Sequence, residues 1–250
     1  MILGMEFKDL FSAQATDYSR FRPHYPRELF AWVGGLALER RLAVDVGTGN
    51  GQAAVELAAE FERVIGVDPS ANQIASATSH PKVEYRVGTA EATGVEAGTA
   101  DLITVAQAFH WFDPPAFFRE VRRVSRVDGR LAVWCYGLTS ITPEIDAVVH
   151  EYYEGMLGPF WEPERRLVET GYRTIQVPFE ELQAPALTLE LRWTLEQLVG
   201  YLGTWSPRKP YREARGRDAL EAIYPKLERV WDGARERPIR WPLSIRAFRV

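Results

Sequence analysis

Between residues 41 and 135 the chain switches repeatedly from strand-length apolar runs to helical periodicity, and few architectures accommodate that alternation. Leu42-Ala43-Val44-Asp45-Val46 has the length and character of a buried strand, and Gln52 to Phe61 then repeats apolar positions at helical spacing. Arg63 to Val67, Val83 to Val87, Leu102 to Ala106 and Leu131 to Cys135 read as further strands. Ser70 and Gln73 are spaced as a capping box ahead of a helix reaching Ala77, and Pro114 to Val124 forms another helical pattern. Strand alternating with helix predicts a doubly wound, Rossmann-like α/β fold, with a mostly parallel sheet and helices on both faces. Ligands of such sheets bind beyond the carboxyl ends of the strands.

Past Gly137 the pattern loosens. Pro143 to Met156 is helical, Leu187 to Trp193 alternates like a strand, Leu195 to Leu202 and Arg217 to Arg235 are helical, and Ile239 to Val250 alternates again. Five of the eight tryptophans (Trp161, Trp193, Trp205, Trp231, Trp241) lie in this later part. With no Gly/Ser linker and no internal repeat, the expectation is a single domain with a seven-stranded sheet. It divides into a lid (residues 1–29), a ligand-binding core (30–137), and a helical cap with the final strands (138–250).

At 250 residues, 46% hydrophobic and 26% charged, the chain can bury a full core. Thirty basic against 34 acidic side chains leave a net charge of −4, which argues against a nucleic-acid partner. The charge is unevenly spread: residues 1–200 carry 18 − 28 = −10 and residues 201–250 carry 12 − 6 = +6. A cluster such as Arg208, Lys209, Arg212, Arg215 and Arg217 could attract an anion or form a solvated face. The single cysteine, Cys135, admits no internal disulfide and reads as a buried strand residue. No segment approaches the ~20 apolar residues of a membrane span and Met1 to Leu10 lacks a signal-like pattern, so a cytoplasmic protein without a membrane partner is expected. His24, His80 and His150 show no metal-ligand spacing, and no metal is expected.

The strongest local motif is Val44-Asp45-Val46-Gly47-Thr48-Gly49-Asn50-Gly51-Gln52, at a strand-to-helix turn. Glycines there tolerate positive φ and let a ligand approach the backbone, and a helix start offers amide donors. The dinucleotide pattern G-x-G-x-x-G requires a glycine where this chain has Gln52, which disfavours a nicotinamide-dependent oxidoreductase. Asp68 closes the second strand about 20 residues on, where a carboxylate can accept hydrogen bonds from ribose hydroxyls. With Asp45 ahead of the loop, an acid at each end suits a nucleoside that carries an amino acid better than it suits a pyrophosphate.

On these residues the chain resembles the class I S-adenosylmethionine-dependent methyltransferases of the type 11 kind. Gly88-Thr89-Ala90-Glu91 lies where that family surrounds adenine, and Asp101 to Asp113 looks like its fourth strand and substrate-facing turn. Phe11 to Pro26 and Tyr201-Leu202-Gly203-Thr204-Trp205-Ser206 are similar to segments of its small-molecule branch, which includes trans-aconitate methyltransferase-like proteins. The resemblance implies that Gly47, Thr48, Gly49 and Gly51 pack against the amino-acid part of S-adenosylmethionine, with Asp45 near its ammonium. Asp68 and Pro69 would hold the ribose, Thr89, Ala90 and Glu91 the adenine, and Gln107 would touch the cofactor at a strand end. Tyr18 and Arg22 would close over it. Relatives commonly have Asp where this chain has Thr89, so Ala90's amide or Glu91 would have to replace that contact.

The implied reaction is in-line displacement of a thioether by a small-molecule acceptor, in which positioning can be worth ~7–11 kcal/mol. A carboxylate acceptor needs no base. A phenol, alcohol or ammonium must lose a proton, and His110 is the candidate base, with a pocket-wall or orienting role as its alternative. His110, Trp111, Trp161 and Trp205 are the candidate acceptor contacts, with Tyr152, Tyr153, Arg165, Arg166 and Arg208 nearby in the cap. Asp113-Pro114-Pro115-Ala116 lacks the aromatic residue that nucleic-acid amino-methyltransferases use against a flipped base, and reads instead as a helix start. A non-catalytic cofactor-binding protein is the reading from another class. A monomer or homodimer is expected.

Overall fold

The computed structural model describes residues 23–250. Helix α1 (Arg27–Leu36) leads into β1 (Leu42–Val46), α2 (Gln52–Leu57), β2 (Arg63–Asp68), α3 (Ala71–Ala75), β3 (Val83–Val87) and β4 (Ala100–Ala106). Then come α4 (Pro114–Val124), β5 (Ser125–Tyr136), α5 (Pro143–His150), α6 (Arg165–Glu169), β6 (Glu180–Leu182) and β7 (Thr188–Trp193). Helices α7 (Leu195–Gly203), α8 (Arg208–Arg215) and α9 (Ala219–Trp231) precede the final strand β8 (Arg237–Arg249).

The main sheet runs β3-β2-β1-β4-β5-β8-β6, which is the doubly wound, Rossmann-like α/β arrangement with its expected seven strands. An eighth, β7, pairs with the first half of β8. β1 to β5 are parallel, while β8 runs antiparallel to β5 and to β6. Alternation along each strand splits the interior in two, as it must when both faces of a sheet are covered. On β5, Ala132, Trp134 and Tyr136 join the core shared with α1, α2 and the cap helices. Leu131, Val133 and Cys135 join the core built on α4 and α6. Cys135 is fully buried, as its strand position requires.

Element boundaries depart from the periodicity in four instructive places. Regular helix α2 ends at Leu57, and turns with mixed i−3 and i−4 hydrogen bonds carry the apolar positions on to Phe61, whose amide donates to Leu57's carbonyl at 3.0 Å. The Lys82 ammonium takes the carbonyls of Ala58 (2.9 Å) and Phe61 (3.1 Å) in that segment, and both side chains stay buried. Strand β5 starts at Ser125, because Asp128-Gly129, a turn-like pair, is absorbed in a register shift between Ala100 and Leu102 with Asp128 at φ +59°. The helix from Pro143 passes at Glu151 into a π-helical turn ending at Met156. Helix α8 presents a single buried apolar residue, Tyr211, too little for a periodic signal.

At the head of α4, Asp113 caps Ala116's amide at 3.1 Å and two prolines occupy the first turn. That confirms the helix-start reading of Asp113-Pro114-Pro115. Among the described residues no helix is long and apolar enough to cross a membrane.

Candidate active site

The order of the sheet reverses between β1 and β4, and the crevice of an open α/β sheet opens at such a point. The Gly47–Gly51 turn leaves β1 there. Gly47, Gly49 and Gly51 have φ of +71°, +56° and +85°. A Cβ on Gly47 would lie 2.5 Å from Ala108's Cβ, and one on Gly51 would lie 2.0 Å from the Tyr85 hydroxyl. Those two glycines are required by the protein's own packing. Gly49 differs: among the described residues a Cβ there would meet nothing nearer than Gln73 Oε1 at 4.0 Å, so no described side chain packs against its face.

The turn's amides are largely taken internally. Gly47 and Thr48 donate to Val67's carbonyl (2.8 and 3.0 Å), Gly51 to Thr48's carbonyl (3.0 Å), and Gly49 to Asp68 Oδ2 (2.9 Å). What the turn offers a ligand is therefore shape and closeness rather than a nest of free donors. Asp68 Oδ1 also accepts from Ser70's amide at 2.9 Å across Pro69. Asp68 thus stands at the end of β2 with one oxygen on the glycine turn and the other on the head of α3.

Asp45 sits beneath the turn with no exposed surface. In-register pairing of Asp45 with Thr104 brings the Thr104 hydroxyl to Oδ1 (2.8 Å), and the Thr48 hydroxyl reaches Oδ2 (2.7 Å). Burial raises its pKa to about 6, against the lowering effect of the two hydroxyls. Asp45 is thus buried directly beneath the turn, where its charge acts on whatever the turn holds.

Beyond β3, Thr89 bridges back to Ala92, Ala90 is buried, and Glu91 accepts the Asp113 amide at 3.0 Å. Glu91 thus fastens the head of α4, and one of its oxygens is engaged there. Gln107 leaves β4 at φ +57°, a conformation costing about 1–2 kcal/mol for a non-glycine residue. Its amide is clamped to the Tyr136 backbone, donating at 3.1 Å and accepting at 2.9 Å. The strained corner is held at the switch point. Gln52, which stands at the third-glycine position, donates to Pro23's carbonyl at 3.0 Å. Tyr18 and Arg22 lie outside the described residues.

Beside this turn opens a cleft of about 660 Å³, counting its mouth. Gln107, His110 and Trp111 line it from the end of β4, and Tyr136 and Gly137 from the end of β5. Trp161, Glu162 and Arg165, with Tyr201, Trp205 and Ser206, close it from the cap. All four expected acceptor contacts, His110, Trp111, Trp161 and Trp205, therefore meet in one place. Trp205 is the floor: its ring stacks on Tyr152 (5.4 Å, 23°) and packs 5.7 Å from Trp161. Tyr136 and Glu162 escaped the sequence reading because each occurs in a stretch without motif character.

His110 is held neutral. Burial, with the charge of Arg165, pushes its pKa down to about 3. Its Nδ1 lies 3.1 Å from the hydroxyl of the fully buried Tyr172, whose own pKa burial drives well above 10. A group so hard to protonate is poorly matched to general-base work near neutral pH, and its surroundings support the orienting role. Arg208 is not a cleft cation, since it forms a bidentate pair with Asp218. Among the described residues no cluster of His, Cys, Asp and Glu could hold a metal ion.

Comparison with known proteins bears on the same elements. Residues 44–133 match the methyltransferase domain family, from within β1 through most of β5. A methyltransferase assigned in Dictyostelium discoideum is 39% identical over 230 residues, covering 90% of this chain and 88% of that protein. An uncharacterised methyltransferase of Mycobacterium tuberculosis is 35% identical over 126 residues, about half of each chain. A solved structure from Anaeromyxobacter dehalogenans, assigned as a type II methyltransferase, is 48% identical with a TM-score of 0.86 and covers 92% of this chain and 98% of its own. A turn shaped by its own packing at the sheet's switch point, with a relative alike over nine-tenths of the chain and a solved fold that covers 92% of it, makes this chain a member of the class I S-adenosylmethionine-dependent methyltransferases.

Proposed function

We propose that the chain transfers the methyl group of S-adenosylmethionine to a small-molecule acceptor seated in the aromatic cleft. The observation that carries this reading is the adjacency of two unlike spaces at one sheet end: the open face of Gly49 with Asp68, and the cleft lined by His110 and Trp111. Asp68 would hold the ribose diol, with Pro69 setting its turn. Gly47, Thr48, Gly49 and Gly51 would lie along the amino-acid part, above the charge of Asp45. Thr89, Ala90 and Glu91 would border the adenine, and Gln107 would separate cofactor from acceptor.

When bound, the cofactor supplies a methyl group on a positively charged sulfur. The chain's own contribution is position and exclusion of water. Trp161 and Trp205 give the acceptor rigid apolar walls, and His110 and Trp111 sit where β4 delivers them next to the cofactor turn. No proton acceptor near neutral pKa is supplied by His110, so alignment carries the rate. The cap helices share one core with α1 and α2, which supports a single domain spanning core and cap.

Incubation with methyl-labelled S-adenosylmethionine and a panel of carboxylic acids, phenols and amines tests the reading. Label in at least one small acceptor is expected. Cofactor binding without transfer to any acceptor would instead favour a regulatory protein.

A further inference from the structure

Just past the end of α6 the backbone runs through the left-handed region for two consecutive residues, Gly171 at φ +59° and Tyr172 at φ +62°. Glycine adopts this freely, but for a bulky aromatic residue it is an outlier, and such outliers cluster at functional sites. The conformation is held from several sides. Tyr172's amide donates to Leu167's carbonyl (2.8 Å), Arg246 donates to Tyr172's carbonyl (2.7 Å), and a Cβ on Gly171 would lie 2.5 Å from the Ser244 hydroxyl. What the turn delivers is a buried phenol against the short turn Phe109–Trp111, with the Tyr172 and His110 rings stacked at 21° and 6.1 Å.

The phenol has one proton and several neighbours, and their chemistry decides where it goes. The backbone amides of Phe109 and His110 direct their hydrogens at the Tyr172 oxygen, so its lone pairs are met by donors. Among the described residues, His110 Nδ1 at 3.1 Å and the Cys135 sulfur compete for the proton. A thiol sulfur accepts weakly, and Cys135's own hydrogen goes to Val168's carbonyl (3.8 Å). The bare nitrogen of a neutral imidazole accepts strongly, so Tyr172 donates to Nδ1 and the ring proton stays on Nε2. Two charged groups line the cleft with His110, Arg165 and Glu162, and burial together with Arg165 keeps the ring neutral. Among the described residues Nε2 has no hydrogen-bond partner, and the cleft lies against this ring.

We propose that Tyr172 is a positioning residue, fixing His110 with its proton on Nε2 so that the imidazole meets the acceptor as a hydrogen-bond donor and not as a base. This rests on the methyl-transfer reading for what occupies the cleft, and it settles how His110 serves that occupant. A base at this position would need a bare Nε2, and Tyr172 holds the bare nitrogen on the far side of the ring. His110 therefore takes no proton from a phenol, alcohol or ammonium bound here. It orients an acceptor that offers a lone pair to Nε2–H, whatever the acceptor's charge. The strained turn after α6 is what places the phenol, so the part of the chain that sets His110 lies more than sixty residues beyond it.

The test is nitrogen NMR of the full chain with isotopically labelled histidine from pH 5 to 8, with and without S-adenosylhomocysteine, the His110 signals being assigned by their loss in His110→Gln. A protonated Nε2 and a bare Nδ1 are expected throughout the range. Tyr172→Phe keeps the buried ring and removes the hydrogen bond, and it should shift His110 to a mixture of tautomers. Diethyl pyrocarbonate gives a second readout, because it attacks a bare imidazole nitrogen. His110 should react at least about tenfold more slowly than the exposed His150, and Tyr172→Phe should speed its reaction several-fold. A purely structural role for Tyr172 would leave both readouts unmoved in that variant, and that result would overturn the proposal. So would a parent His110 that carries its proton on Nδ1 or titrates within the range, which the parent spectrum decides without any variant having to fold. Failure of S-adenosylhomocysteine to bind would count against the methyl-transfer reading and leave the tautomer result standing.

Discussion

At Gly51 the backbone turns at φ +85° with the Tyr85 hydroxyl directly behind it, bonded at 2.8 Å to Thr78's carbonyl. Alanine there is expected to cost at least about 2 kcal/mol, from the left-handed backbone and from displacement of Tyr85. Thermal unfolding should show a fall of about 4–8 °C. Asp68 has a different role. Asp68→Ala should weaken S-adenosylhomocysteine binding by at least about 1.5 kcal/mol, roughly tenfold, through lost charge-assisted hydrogen bonds. Unchanged affinity would place the ribose elsewhere.

Asp45 gives a pH signature. Its pKa is raised from 3.8 to about 6, so its contribution to stability is fully present below pH 3.8 and is lost as pH rises through 6. Asp45→Asn should therefore gain stability relative to the parent between pH 4 and pH 7, as read from urea midpoints. His110 works in the opposite sense, because the unfolded chain binds its proton near 6.5 and the folded chain only near 3. Its effect is lost stability as pH falls below 6.5, and His110→Gln should reduce that acid-side loss.

Among the elements, α4 shows how much a local pattern can carry. Pro114 and Pro115 predict its start and Asp113 supplies the cap, so Asp113→Ala should cost about 1 kcal/mol, some 2–4 °C in Tm. Strands β1 and β4 at the centre of the parallel half were legible because each is buried on both faces and reads as a nearly continuous apolar run. Strand β6 was not: Glu180-Glu181-Leu182 is three residues at an edge, held to β8 by backbone pairing and the Arg246–Glu181 ion pair rather than by burial. The switch from α to π hydrogen bonding at Glu151 also left no mark, because both windings keep Tyr152 and Tyr153 inward.

For the fold taken together, the glycine turn was readable and the cleft was not, for a physical reason. The turn is built from adjacent residues whose spacing is the signal. The cleft assembles strand ends near residues 107–111 and 136–137 with cap segments near 161–165 and 201–206, and only tertiary packing brings these together. The tryptophans were visible as candidates, but nothing local distinguished Arg165, which faces the cleft, from Arg208, which Asp218 neutralises. The basic excess of the last fifty residues is likewise spent partly on such pairs, among them Arg208–Asp218, Arg240–Glu190 and Arg246–Glu181.

A ligand that seats at the switch point must stabilise the folded chain by mass action, by about 2.7 kcal/mol at a hundredfold excess over its Kd. Calorimetric titration of the full chain with S-adenosylhomocysteine and, separately, with NAD makes the sharpest test. Saturable binding of S-adenosylhomocysteine at one site per chain, weakened in Asp68→Ala, with no heat from NAD, is the expected result. Saturable binding of NAD with none of S-adenosylhomocysteine would contradict it.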